Sequence, residues 1–196
     1  MPARSQSSSN VYQVHIALLH TQPKIWRRLL APPHFTLRRF HQAIQIAMGW
    51  TDSHLHEFCV GKQIYGAPDA DNDPFGITRR KDERHVLLRE MLPRIGSKAF
   101  YTYDFGDSWE HEVSLEKLRK FDPGMIYPVC LAGEMACPPE DCGGLPGYYA
   151  LLEALRDPRH EQHEELLEWV GEGYDPVSFS LERVNRVLQK MKRGRP

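Results

Sequence analysis

Residues 99–116 read AFYTYDFGDSWEHEVSLE. From residue 109 the stretch alternates without a slip: Trp109, His111, Val113 and Leu115 fall on one side, Glu110, Glu112, Ser114 and Glu116 on the other. Successive strand side chains point to opposite faces, so this is the pattern of a strand with one face on a core and one in water. AFYTY supplies its partner strand, and DFGDS the turn between them. Asp104 and Asp107 bracket Phe105-Gly106 there, with side chains suited to capping turn amides and a glycine free to take positive φ. The stretch predicts a central β-hairpin.

Upstream, VYQVHIALL (residues 11–19) alternates Tyr12, Val14, Ile16 and Leu18, and the short HTQPK leads to IWRRLLA, a second hairpin closed by Pro32-Pro33. In residues 36–50 the period changes. Leu37, Phe40, Ile44, Ala47 and Met48 fall on one helical stripe, with Thr36 as N-cap and Gly49 as C-cap. HLHEFCV then returns to period two, GK turns it into QIYG, and residues 67–84 read as a long loop rich in Pro, Gly, Asp and Arg. Downstream, GYYALLEAL, HEQHEELLEWV and SLERVNRVLQKM carry helical stripes, and Phe179 with Val184 suits a hydrophobic staple. The expected architecture is α+β: a mostly antiparallel meandering sheet with one early helix and a helical C-terminal layer. A single domain over residues 11–190 is expected, after a disordered leader (1–10) and before a basic tail (191–196).

The composition, 41% hydrophobic and 26% charged, is that of a soluble globular chain. No apolar run approaches the ~20 residues of a membrane span, so no membrane partner is expected. The opening MPARSQSSSN lacks the apolar core of a signal peptide. A cytoplasmic location follows, with Cys59, Cys130, Cys137 and Cys142 as reduced thiols. The net charge of −1 conceals a division: residues 1–51 hold six Lys or Arg and no acid, whereas residues 132–176 hold eleven acids against two arginines. A basic opening segment attracts phosphates, and Arg38 and Arg39, on the polar face of the first helix, are the nucleic-acid candidates.

Three places concentrate reactive groups. His54 and His56 share a face with Phe58 and Val60, and His111 shares its face with Trp109, so three imidazoles point inward. The hairpin turn adds Asp104 and Asp107, with the tyrosines and Trp109 as walls. The third place is GEMACPPEDCGG (residues 133–144), where Cys137 and Cys142 flank Pro138, Pro139, Glu140 and Asp141. Zinc takes thiolates and imidazoles, which makes Cys137, Cys142 and His111 the metal candidates. The C-x4-C spacing departs from the usual C-x2-C, and zinc is not favoured. The preferred reading is a stiff lid over a pocket lined by Asp107 and His111, to which Glu140 or Asp141 contributes the polar group. HEQHEE lacks the histidine spacing of H-E-x-x-H, and no P-loop, G-x-S-x-G or dinucleotide fingerprint occurs.

Four motifs in this order, W-x-D-x-HLHEF (residues 50–58), YDFGDSWEH, GEMACPPEDCGGLPGY and DPVSF, resemble the plasmid pRiA4b ORF-3-like family. The resemblance runs from about Tyr12 to Leu188 and implies an α+β fold and an association with plasmids and mobile elements. Some such proteins carry a resolvase label. A serine recombinase needs an activated serine in an arginine-rich site, and the serines of residues 5–9 stand in the polar leader instead. The expected function is a non-catalytic binding module for a protein or nucleic-acid partner. The alternative is a metal-dependent hydrolase or nuclease using the His, Asp and Cys motifs. Cofactor and oligomeric state stay open at this point.

Overall fold

The computed structural model describes residues 10–67, 80–171 and 173–191. The hairpin of residues 99–116 lies in the middle of an eight-stranded sheet: β6 (Lys98–Tyr103) and β7 (Trp109–Lys120) pair antiparallel, and β7 also pairs with β1 (Asn10–Leu18). The order continues through β2 (Trp26–Ala31) to β8 (Val129–Glu134) on one side. On the other side it runs through β3 (His56–Val60) and β4 (Gln63–Gly66) to β5 (Lys81–Asp82). Every neighbouring pair is antiparallel except β4 and β5.

Register explains why the alternation reads so cleanly. Phe58 stands opposite Tyr101, Tyr101 opposite His111, and His111 opposite Leu18, which makes one inward row across four strands. His56, Tyr103 and Trp109 form the next row. Cross-strand neighbours at this spacing pack directly, and Tyr101, Tyr103, Trp109 and His111 are completely buried. Helix α1 (Leu37–Met48) adds Phe40, Ile44 and Ala47 to the same core. Its caps are those expected: the Thr36 side chain accepts from the Arg39 amide, and Gly49 ends the helix at φ 103°.

The C-terminal helices α3 (Gly144–Arg156), α4 (His163–Val170) and α5 (Leu181–Leu188) differ in depth. Tyr148, Leu151 and Leu152 of α3 are buried, whereas α4 buries no residue fully and leaves Leu167 and Trp169 exposed. Helix α5 covers the outer strand. The Asn185 side chain donates to Cys130 O at 2.9 Å and accepts from Cys130 N at 2.8 Å, taking the place of a further strand along β8.

Several expectations are corrected. His54 precedes β3 rather than sharing its face with His56. Asn10, read as leader, begins β1; residues 1–9 and 192–196 lie outside the described residues, as do residues 68–79 of the long loop. The remainder of that loop supplies β5. Strand β8 and the short helix α2 (Leu88–Met91) were not expected. VCLAGE carries no strong alternation, and its strand character comes from pairing with β2. Trp109 stacks on Trp50 at 6.3 Å with no exposed surface, as its face requires. Trp109→Ala is therefore expected to lower the free energy of unfolding by about 3–5 kcal/mol. A loss under about 1 kcal/mol in urea denaturation contradicts this packing.

Candidate functional site

The proline-stiffened loop of residues 136–143 is latched at three points, to the segment after α1 and to β6. The Trp50 indole donates to Pro138 O at 3.0 Å. The Thr51 amide donates to Glu140 at 3.1 Å, with the Thr51 hydroxyl on the same oxygen. The Tyr103 hydroxyl donates to the other Glu140 oxygen and accepts from the amides of Ser53 and His54. Burial first, and the Glu140 carboxylate next, push the Tyr103 phenol well up, so it remains a donor. From the far side the Ala136 amide reaches Pro176 O at 3.0 Å, and Tyr174 donates to Cys137 O at 3.2 Å. All four motifs of residues 50–58, 103–111, 133–148 and 175–179 thus meet at one end of the sheet.

The latch places two carboxylates against His54. Asp141 Oδ1 lies 3.2 Å and Asp104 Oδ2 3.7 Å from His54 Nε2. Asp104 is oriented by its own turn: Oδ1 accepts from the Gly106 amide at 2.9 Å and from the Asp107 amide at 3.4 Å. Asp107 stands beside the entry to α3, where a Cβ at Gly144, itself at φ +65°, would meet Asp107 O at 2.7 Å. Only glycine lets the loop approach this closely.

Two residues on from His54, His56 belongs to a second and more buried centre. His56 and His41 of α1 lie face to face, ring centroids 3.4 Å apart and 2° from parallel. Each imidazole ends on an acid: His41 Nε2 on Asp52 at 2.7 Å, His56 Nε2 on Glu83 at 2.7 Å. Arg38 faces both acids, 3.8 Å from Asp52 and 3.5 Å from Glu83. The network fixes the protons. The Asp52 amide donates to Gln45 Oε1, which turns the Gln45 NH2 onto the Tyr101 hydroxyl. Tyr101 then donates to His41 Nδ1 at 2.9 Å, so His41 carries its proton on Nε2 and gives it to Asp52. Burial, with His56 alongside, lowers the His41 pKa to about 4. Burial is the largest single influence on the Glu83 carboxyl and would raise it, but the hydrogen bond and charge of His56, with His41 and Arg38, together hold it below its usual value.

The remaining candidates are spread apart. Cys137 Sγ packs on Met48 Sδ at 3.2 Å and beneath Arg27, and burial raises its thiol to about 11. Cys142 Sγ turns toward Gly144 O, its thiol raised to about 12 by burial and then by Asp107 and Asp141. Among the described residues these thiols and His111 do not gather as a ligand set; the two sets that do are His41, Asp52, His56 and His54, Asp104, Asp141. His111 lines no open pocket: it is wholly buried, edge-on to Trp50, and donates from Nδ1 to Tyr101 O at 3.2 Å. Arg39 lies over the Phe35 ring at 4.4 Å. Sequence reasoning missed His41, although it sits on the buried α1 stripe. Asp52 stood in the W-x-D-x-HLHEF motif without being singled out, and Glu83 and Arg27 carried no local signal. Arg27 is buried, with its N–H groups on Ala47 O, Trp26 O, Glu134 O and Met135 O and its guanidinium over Phe179.

The buried imidazoles set a pH dependence. His111 also has its pKa lowered to about 4, by burial, since a proton on Nε2 would find no hydrogen-bond partner. The unfolded chain takes up these protons near pH 6.5, and the folded chain only near pH 4. More protons on the unfolded state mean stability falls as pH drops through that window. The slope reaches at most about 1.4 kcal/mol per pH unit for each histidine. Denaturation at pH 7, 5.5 and 4.5 should show a falling midpoint, and His111→Phe should reduce the slope by about half. A flat profile from pH 7 to 4.5 contradicts it.

The family model described as plasmid pRiA4b ORF-3-like protein matches residues 10–183. An uncharacterized protein y4hQ of Sinorhizobium fredii (strain NBRC 101917 / NGR234) is 39% identical over 186 residues, 93% of each chain. The crystal structure of MM3350, a protein of unknown function from Methanosarcina mazei Go1, superposes with a TM-score of 0.80 at 36% identity, covering 89% of this chain and 96% of that one. The motifs that meet around the latch are thus carried by a chain that belongs to the plasmid pRiA4b ORF-3-like family.

Proposed function

We propose that the domain is a non-catalytic binding module that takes a lysine- and arginine-rich protein segment along the groove between α3 and α4. The groove, about 590 Å³, carries the reading: Leu151, Leu166 and Trp169 line it, and Asp141, Glu165 and Glu168 rim it with negative charge. Trp169 is 48% exposed, an aromatic face open to a guanidinium or ammonium group. Apolar lining with an acidic rim complements a basic, partly apolar peptide and repels phosphates. The nucleic-acid reading has lost one of its cations, since Arg38 already faces Asp52 and Glu83. A hydrolytic reading has less support, because the His41–Asp52 pair is closed by Tyr101 and Gln45 and the Cys137 thiol packs against Met48.

Fluorescence anisotropy with a labelled Arg/Leu peptide tests this. Binding should weaken steeply as salt rises, and Glu165→Lys/Glu168→Lys should weaken it at least tenfold at low salt. No binding at low ionic strength, undiminished binding by the double variant, or tighter binding of duplex DNA than of peptide by the unaltered protein would overturn it.

A further inference from the structure

His54, Asp104 and Asp141 come from three separate parts of the chain: the segment before β3, the β6–β7 turn and the loop after β8. Their donor atoms nevertheless lie within 4.8 Å of one another. The nitrogen is the informative atom. His54 Nε2 is shielded from solvent and makes no hydrogen bond, even though Asp141 Oδ1 is only 3.2 Å away. The carboxylates flank the ring nitrogen at short range without the alignment that an N–H bond requires. Asp107 Oδ2, in the same turn as Asp104, is likewise shielded and without a hydrogen-bond partner.

Atoms that share a small cation are arranged in this way. With N and O donors about 2.0–2.2 Å from an ion, neighbouring donors stand roughly 3.0–3.6 Å apart for angles from 90° to 120°. The observed 3.2 and 3.7 Å separations are close to that range. The ligand turns are also preset. Asp104 and Asp141 hold left-handed backbone at φ 57° and 60°, which aspartate tolerates better than most residues but which still needs support. Asp104 Oδ1 is held by two turn amides, leaving Oδ2 toward His54, an outer-shell arrangement of the kind that orients metal ligands.

The other gathered set does not behave this way. The rings of His41 and His56 are parallel, so their in-plane lone pairs run side by side instead of converging on one point. The Tyr101–His41–Asp52 chain also commits His41 Nε2 as a donor.

We propose that His54 Nε2, Asp104 Oδ2 and Asp141 Oδ1 bind one divalent first-row cation, zinc or manganese, at the rim of the sheet. One imidazole and two carboxylates suit these ions better than a soft ion such as copper(I). Because Asp141 is 72% exposed, coordination positions remain open on the solvent side. The ion would join the proline loop to the hairpin turn, adding its binding free energy to folding. This site shares Asp141 with the rim of the peptide groove, so the ion is titrated without peptide.

The test uses the full, tag-free chain stripped with a chelator and titrated calorimetrically with zinc or manganese in the absence of peptide. One ion per chain and a raised thermal midpoint are expected. Asp141→Asn, at an exposed position where asparagine keeps the backbone conformation, should weaken binding at least tenfold, as should His54→Gln. Cys137→Ser/Cys142→Ser should bind as the unaltered protein does. No saturable binding of either ion would overturn the site. So would unchanged affinity in both Asp141→Asn and His54→Gln, or loss of the ion in the cysteine variant.

Discussion

The hydrogen bond from Tyr103 to Glu140 joins the two parts of the molecule that carry its unusual chemistry. Tyr103 stands on a buried row of the sheet, fixed by its register opposite His56 and Trp109. Its hydroxyl gathers the amides of Ser53 and His54 on one side and holds the Glu140 carboxylate on the other. A rigid phenol in a packed core thus sets the position of a loop that lies largely on the surface. The consequences reach the residues on either side: His54 on the segment before β3 and Asp141 on the loop face each other because their neighbours share this one oxygen.

The two polar centres divide the work differently. In the buried one, each donor meets an acceptor, and Arg38 faces the carboxylates of both Asp52 and Glu83. Such a network favours a single arrangement of its parts. Its histidines join α1 to β3, with Tyr101 of β6 beneath them. The rim centre holds carboxylates in excess and a ring nitrogen without a hydrogen bond. Binding capacity is therefore left over at the rim and largely used up in the interior. Arg27 completes the frame by tying the end of α1 at Ala47 to the start of the loop at Glu134 and Met135.

Much of this was legible in the residues. The period-two run from Trp109 to Leu115 specified the central hairpin and its buried face, and Thr36 with Gly49 marked both ends of α1. Asp104, Asp141 and His54 were named as pocket residues from motif chemistry, and they do come together. His111 was placed on an open pocket and is packed in the core instead, because residue type alone cannot separate a packed group from a ligand. Glu83 escaped notice for a different reason. It lies in a polar stretch, and its burial results from the pairing of β4 with β5 and its contact with His56, both set by tertiary structure. Strand β8 was hidden likewise, its Gly133 being required by the close approach of Arg27 and Phe179.

The claim that one phenol–carboxylate contact organises the site is most directly tested by native-state hydrogen exchange in Glu140→Ala. Loss of the carboxylate should lower protection at Thr51, which donates to it, and also at Ser53 and His54, which reach it only through Tyr103. Amides of the hairpin such as Val113 should keep the protection of the unaltered protein. Unchanged exchange at Ser53 and His54 would contradict the account, because the loop would then be held without Glu140.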